Sequence, residues 1–112
     1  MARYLISFDD GAMTFPEEDL AEVGRETRAV VEAAKAAGVW IFGAGMERQR
    51  AQIVGTDGTV TDGPFPETKA VLGGFSILEV DSHEEALAWA AKLAASCRCA
   101  QEVRVLLYDP DS

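Results

Sequence analysis

The densest run of chemically able side chains lies at Thr61-Asp62-Gly63-Pro64-Phe65-Pro66-Glu67-Thr68-Lys69, followed by Leu72-Gly73-Gly74-Phe75. Asp62 and Gly63 suit a tight turn. The ring of Pro64 fixes its own φ and restricts Gly63 before it. A stiff loop of this kind can bind a small ligand. Asp62 is its acid/base or ligand-orienting carboxylate and Phe65 its apolar contact. Lys69 is a cation that neutralises a ligand carboxylate or holds Glu67. Asp9, at the end of the first strand pattern, is a second candidate carboxylate. The same residues also make a sound strand-to-strand turn, with Asp62 accepting from nearby amides and Phe65 anchoring the loop. Residue types alone leave both readings open.

Other reactive residues are few. His83 is the single histidine, and it falls one residue after a helix-capping serine, a position more suited to a solvated first turn than to a base. Proton chemistry at neutral pH therefore falls to carboxylates, a lysine or a tyrosine. Gly43-Ala44-Gly45 begins like a dinucleotide fingerprint, but Arg48 stands where the third glycine belongs and a hairpin pattern follows. Cys97 and Cys99 are one residue apart, a poor spacing for a structural disulfide, and no second ligand pair completes a metal site. Reduced thiols, no metal and no cofactor are expected. Arg48 and Arg50 either meet an anionic ligand or lie on a solvated loop.

The elements that must position these residues follow from pattern. Residues 3–8 alternate as a strand, with Tyr4, Ile6 and Phe8 on one face. Thr14 and Glu17 fit a capping box opening a helix to about Ala37, whose stripe is Leu20, Val23, Thr27, Val30, Val31 and Ala34. Gly38 is a natural stop. A strand over 39–42 ends at Gly43-Ala44-Gly45. Residues 51–61 read as a hairpin turning at Asp57-Gly58 with positive φ at both. A strand runs from Phe75 to Val80. Ser82 and Glu85 form a second capping box for a helix to about Ser96, burying Ala86, Leu87, Ala90, Leu93 and Ala94. A last strand spans Glu102 to Tyr108. The order β-α-β, hairpin, β-α-β predicts a ferredoxin-like α+β layer, one domain over 1–108 with a tail at 109–112.

Composition sets outer bounds. Nineteen Asp and Glu against ten Lys and Arg give a net charge of −9 over 112 residues. That charge argues against nucleic acid and against an anionic membrane surface. No apolar stretch is long enough to span a bilayer, and the N-terminus has no signal-peptide pattern, so a cytoplasmic protein is expected. The strands at 75–80 and 102–108 are apolar on both faces. In a chain this short no spare element is left to cover the second face, which points to a homodimer; the other reading is central strands with a few exposed apolar residues.

The stretch Asp62-Gly63-Pro64-Phe65-Pro66-Glu67-Thr68-Lys69 with Leu72-Gly73-Gly74-Phe75 resembles the signature of the DGPF branch of the YCII-related family. The likeness extends to the acidic helix ending in Ala-Gly-Val, the Gly-Ala-Gly after the second strand and Val80-Asp81-Ser82 before an Ala- and Trp-rich helix. It implies a ferredoxin-like fold dimerising into an α/β barrel, with a cleft at the dimer interface as the active site. Barrel relatives include lyases, isomerases and dehalogenases, so a small-molecule enzyme is one expectation. A non-catalytic accessory module linked to transcriptional regulation is the alternative. Better-studied relatives are credited with a His–Asp pair whose His lies on the first helix. This chain has no His before residue 83, so that pair does not carry over.

Overall fold

The computed structural model describes residues 1–9, 11–46, 52–62 and 72–111. Strand β1 (Ala2–Asp9) is followed by a 3₁₀ turn (Glu17–Asp19), helix α1 (Leu20–Ala36) and strand β2 (Trp40–Gly45). A hairpin of β3 (Gln52–Val54) and β4 (Val60–Asp62) comes next. Then β5 (Leu72–Val80), α2 (His83–Cys97) and β6 (Glu102–Val105) complete the chain. The main sheet has the order β2-β5-β1-β6, and every neighbouring pair is antiparallel. This is the expected ferredoxin-like arrangement, with β3 and β4 forming a separate two-stranded ribbon.

Both helices cover one face of the sheet. Tyr4, Ile6, Leu78 and Val80 point into the core from β1 and β5, and Ala34, Ala86, Ala90 and Leu93 meet them from the helices. Full burial of an Ile or Leu side chain is worth about 1.5–3 kcal/mol, so these central strands dominate the core's contribution. Small alanines on α2 let the helix approach the sheet closely. Gly38, at φ +76, ends α1 in the left-handed region, where a side chain would be strained.

Several local expectations are corrected. Thr14 does not cap α1: Pro16 sits at φ −59, ψ 144, outside the helix, and the chain enters through the 3₁₀ turn, with Asp19 N–H donating to the Pro16 carbonyl at 2.8 Å. Leu20 is 61% exposed, because α1 meets the core only from Val23 onward. The hairpin turn is a residue longer than expected. Gly58 N–H donates to Gly55 C=O and Gly55 N–H to Thr59 C=O, and only Gly58 has positive φ. That is a three-residue loop closed by a left-handed glycine, with Asp57 accepting from Thr59 N–H at 2.9 Å. Leu87 is 46% exposed, since the buried stripe of α2 runs through Ala86, Ala90, Leu93 and Cys97, one position to its side. β5 begins at Leu72, so both glycines lie inside the strand. β6 stops at Val105, and Leu106 keeps only one bond, from its N–H to Arg3 C=O.

The face of the sheet away from the helices carries Leu5, Phe75 and Ile77, half-buried, and Phe42, 55% exposed. Register places Leu5 opposite Ile77, Ile77 opposite Phe42 and Ala44 opposite Phe75. The rings of Phe42 and Phe75 lie 6.0 Å apart. Arg3 and Glu79 pair across one edge of this patch, and Arg104 pairs with Glu102 at the other. Ferredoxin-like topology thus leaves an apolar strip on the sheet's second face, as the two-faced strand pattern implied.

Candidate functional site

Between α1 and the sheet lies a cleft of about 470 Å³. Small-molecule sites typically occupy roughly 300–1,000 Å³. From the sheet, Ile6 and Phe8 of β1, Trp40 and Gly43 of β2 and Ser76 of β5 line it. From α1 come Thr27, Arg28, Val31, Glu32 and Lys35, and from α2 Leu93 and Cys97. Met13 borders it from the loop after β1.

A β-bulge shapes its floor. Trp40 pairs with Leu78, but Phe42 pairs with Ile77, so Ile41 is an extra residue. The bulge puts Phe42 on the open face while Trp40 and Gly43 both face the helices. The outer edge of the Trp40 ring then crowds Gly43: a Cβ there would stand 2.6 Å from ring carbons Cη2 and Cζ2. Gly74 does the same for Phe8, where a Cβ would lie 2.7 Å from Cζ. Two aromatic rings are pressed onto the sheet because two glycines leave room for them. The Gly-Ala-Gly and Gly-Gly-Phe motifs run side by side, Gly45 opposite Gly74 and Ala44 opposite Phe75. Gly43 lies inside β2, so no phosphate-binding turn forms there.

Charge on the cleft sits on α1. Lys35 lies 3.8 Å from Glu32, a solvent-exposed pair worth little. Arg28 has no ion pair among the described residues, whereas Arg3, Arg98 and Arg104 are each held by a glutamate. At the other end of the lining, the buried Cys97 Sγ lies 3.8 Å from Thr27 Oγ1. Both thiols are free, and burial pushes the nearby Cys99 thiol up.

Gly63, Pro64, Phe65, Glu67 and Lys69 lie outside the described residues, as do Arg48 and Arg50. Asp62 is the last residue of β4, where its backbone pairs with Gln52. Asp9 is the last residue of β1, exposed, and sits opposite Leu72, the first residue of β5. Leu72, the first described residue after Asp62, is two residues before Gly74, the partner of Phe8, which lines the cleft. His83 is exposed in the first turn of α2, its ring 5.7 Å from that of Tyr4, and it is not among the residues lining the cleft. Arg28, Lys35, Trp40 and Thr27 were not singled out from sequence as site residues. The available signal was Thr27, a polar residue inside the apolar stripe of α1, with Arg28 and Lys35 two turns apart beside it.

Among solved structures, the fold is shared with 5-chloro-2-hydroxyhydroquinone dehydrochlorinase from Burkholderia phenoliruptrix, in complex with 2,5-dihydroxybenzoquinone. The TM-score is 0.54 and the identity 16%, over 99% of this chain and 98% of that one. No curated protein matches the chain. The described residues include no helix long and apolar enough to cross a membrane. The model of the YCII-related domain matches residues 2–106, nearly the whole length over which these elements are built, and the chain belongs to that family.

Proposed function

We propose that this protein is a small-molecule enzyme of the lyase or isomerase type, in the DGPF branch of its family, acting in the cleft between α1 and the sheet. The observation that carries the reading is the cleft itself, with aromatic residues crowding Gly43 and Gly74 on its floor. The 62–69 segment bears on the cleft through the next described residue, Leu72, which stands opposite Asp9, one residue from Phe8. In this account a carboxylate, Asp62 or Asp9, removes a proton from the ligand. The freed electron pair either expels a leaving group from the adjacent carbon, or forms a new double bond while the old one takes the same proton back from the carboxylic acid at its far carbon; Lys69 offsets negative charge on a ligand oxygen. His83 is not among the residues lining the cleft, and Asp9 stands one residue beyond the lining Phe8, at the end of β1. The working unit is a homodimer, its two copies covering each other's Leu5, Phe42, Phe75 and Ile77.

The test uses 2,5-dihydroxybenzoquinone, the compound held by the dehydrochlorinase, as the first probe. Titration should show saturable binding that Asp62→Asn and Lys69→Met each weaken about tenfold or more, at unchanged melting temperature. If both variants instead lose several kcal/mol of stability, on the scale of a broken buried network, the segment serves folding and the functional assignment of these residues is wrong.

A further inference from the structure

Resting on that reading of the cleft, we propose that its ligand is a flat ring compound bearing a single negative charge, an arene carboxylate, with the ring against Trp40 and Phe8 and the charge at Arg28 and Lys35. Three observations converge. The first is shape. Ring carbons of Trp40 and Phe8 crowd Gly43 and Gly74 so closely that a Cβ at either glycine would stand under 3 Å from them. Trp40 and Phe8 both line the cleft, so it offers aromatic surface against which another ring can pack. The volume of about 470 Å³ admits a single or fused ring with a short substituent.

The second observation is charge. The chain as a whole is −9, yet among the described residues the charged side chains lining this cleft are Arg28, Lys35 and Glu32, two positive and one negative. That surplus suits a monoanion and is poorly matched to a dianionic phosphate. The third is availability. Arg28 is the lining cation with no ion pair among the described residues, and Lys35 is held only by the exposed contact to Glu32 at 3.8 Å. A guanidinium presents a planar fork that fits a carboxylate in two parallel hydrogen bonds, and a contact of this kind is about twice as strong as a neutral one. The two cations lie two turns apart on α1, on the side facing the aromatic floor.

Calorimetric titration of the whole protein with 2-naphthoate and its neutral isostere 2-naphthamide tests this, with the indole N–H signal of Trp40 followed by NMR. Expected are saturable naphthoate binding that shifts the Trp40 signal, at least tenfold weaker binding of the amide, and a loss of about tenfold in naphthoate affinity for Arg28→Gln and for Lys35→Gln. Amide affinity should not change in either variant. If the amide binds as tightly as the acid, or both variants keep full naphthoate affinity, the anionic class is wrong while the cleft remains a ligand site. If naphthoate, the amide and 2,5-dihydroxybenzoquinone all leave Trp40 unmoved, the reading of the cleft fails with it.

Discussion

Gly43 and Gly74 show how a single missing methyl group can decide the shape of a site. A Cβ at Gly43 would meet Trp40 ring carbons at 2.6 Å and the Phe75 carbonyl oxygen at 3.2 Å, so the ring has to lift away from the strand. Gly43→Ala should therefore cost about 1–3 kcal/mol, as overpacking of a tight site does, and push the indole into the cleft. In a Trp89→Phe background, Trp40 emission would move and ligand affinity would fall. An unchanged spectrum at wild-type stability would mean the ring has free room. The two glycine motifs were visible in the sequence, but their purpose was not. That purpose depends on the bulge at Ile41, a register defect that leaves no mark in a continuously apolar Trp-Ile-Phe run. Asp9 and Asp62 were legible as strand-end carboxylates. Arg28 and Lys35 were not, because a helix flank of exposed cations reads as ordinary solvated surface until the opposite wall is in place.

At the scale of elements, the two helix N-termini behave differently although both carried the same sequence signal. Ser82 Oγ accepts from Glu85 N–H at 3.1 Å, and the Glu85 carboxylate accepts in return from Asp81 N–H at 3.2 Å. Ser82→Ala should thus cost about 1 kcal/mol, whereas Thr14→Ala should cost nothing measurable, since no side chain caps the 3₁₀ turn or α1. Denaturant unfolding of both variants checks the contrast. The Ser-x-x-Glu pattern succeeded where a strand ran straight into the helix; at Thr14 the extended backbone of Pro16 displaced the start. The C-terminal end of α2 is tied to the first half of α1 by Arg98, which donates to the Glu26 carboxylate and to the Ala95 carbonyl behind it. The Arg98 hydrogen bond holds the Glu26 carboxyl below its ordinary value of 4.5. A depressed carboxylate stabilises the fold above its unfolded pKa and loses that contribution as pH falls through the folded one. The melting temperature of Glu26→Gln should therefore lie below wild type at neutral pH, and the gap should close as pH drops below 4.5. A gap that widens on acidification would contradict the pairing.

On the scale of the molecule, β-α-β, hairpin, β-α-β was readable because each element had a clear period and a clear stop. What the order of elements could not supply is the length of β6, which ends at Val105 once its pairing with Tyr4 runs out. The apolar strip Leu5, Phe42, Phe75 and Ile77 makes a second prediction at this scale. Sedimentation at micromolar concentration should give a dimer, and Phe42→Glu should shift it toward a 12.0 kDa species, since an unpaired charge in an apolar interface costs several kcal/mol. Wild-type protein sedimenting only as the monomer would remove the dimer from the account. The central claim, however, is that the cleft between α1 and the sheet is where a small molecule binds. NMR of the labelled protein against a library of small aromatic acids and their neutral counterparts tests that most directly. Shifts clustering at the Trp40 indole, Gly43, Val31 and Cys97, with the acids outranking their neutral partners, are the predicted result. Shifts confined to Met1–Arg3 and residues 106–110, or none at all, would contradict it.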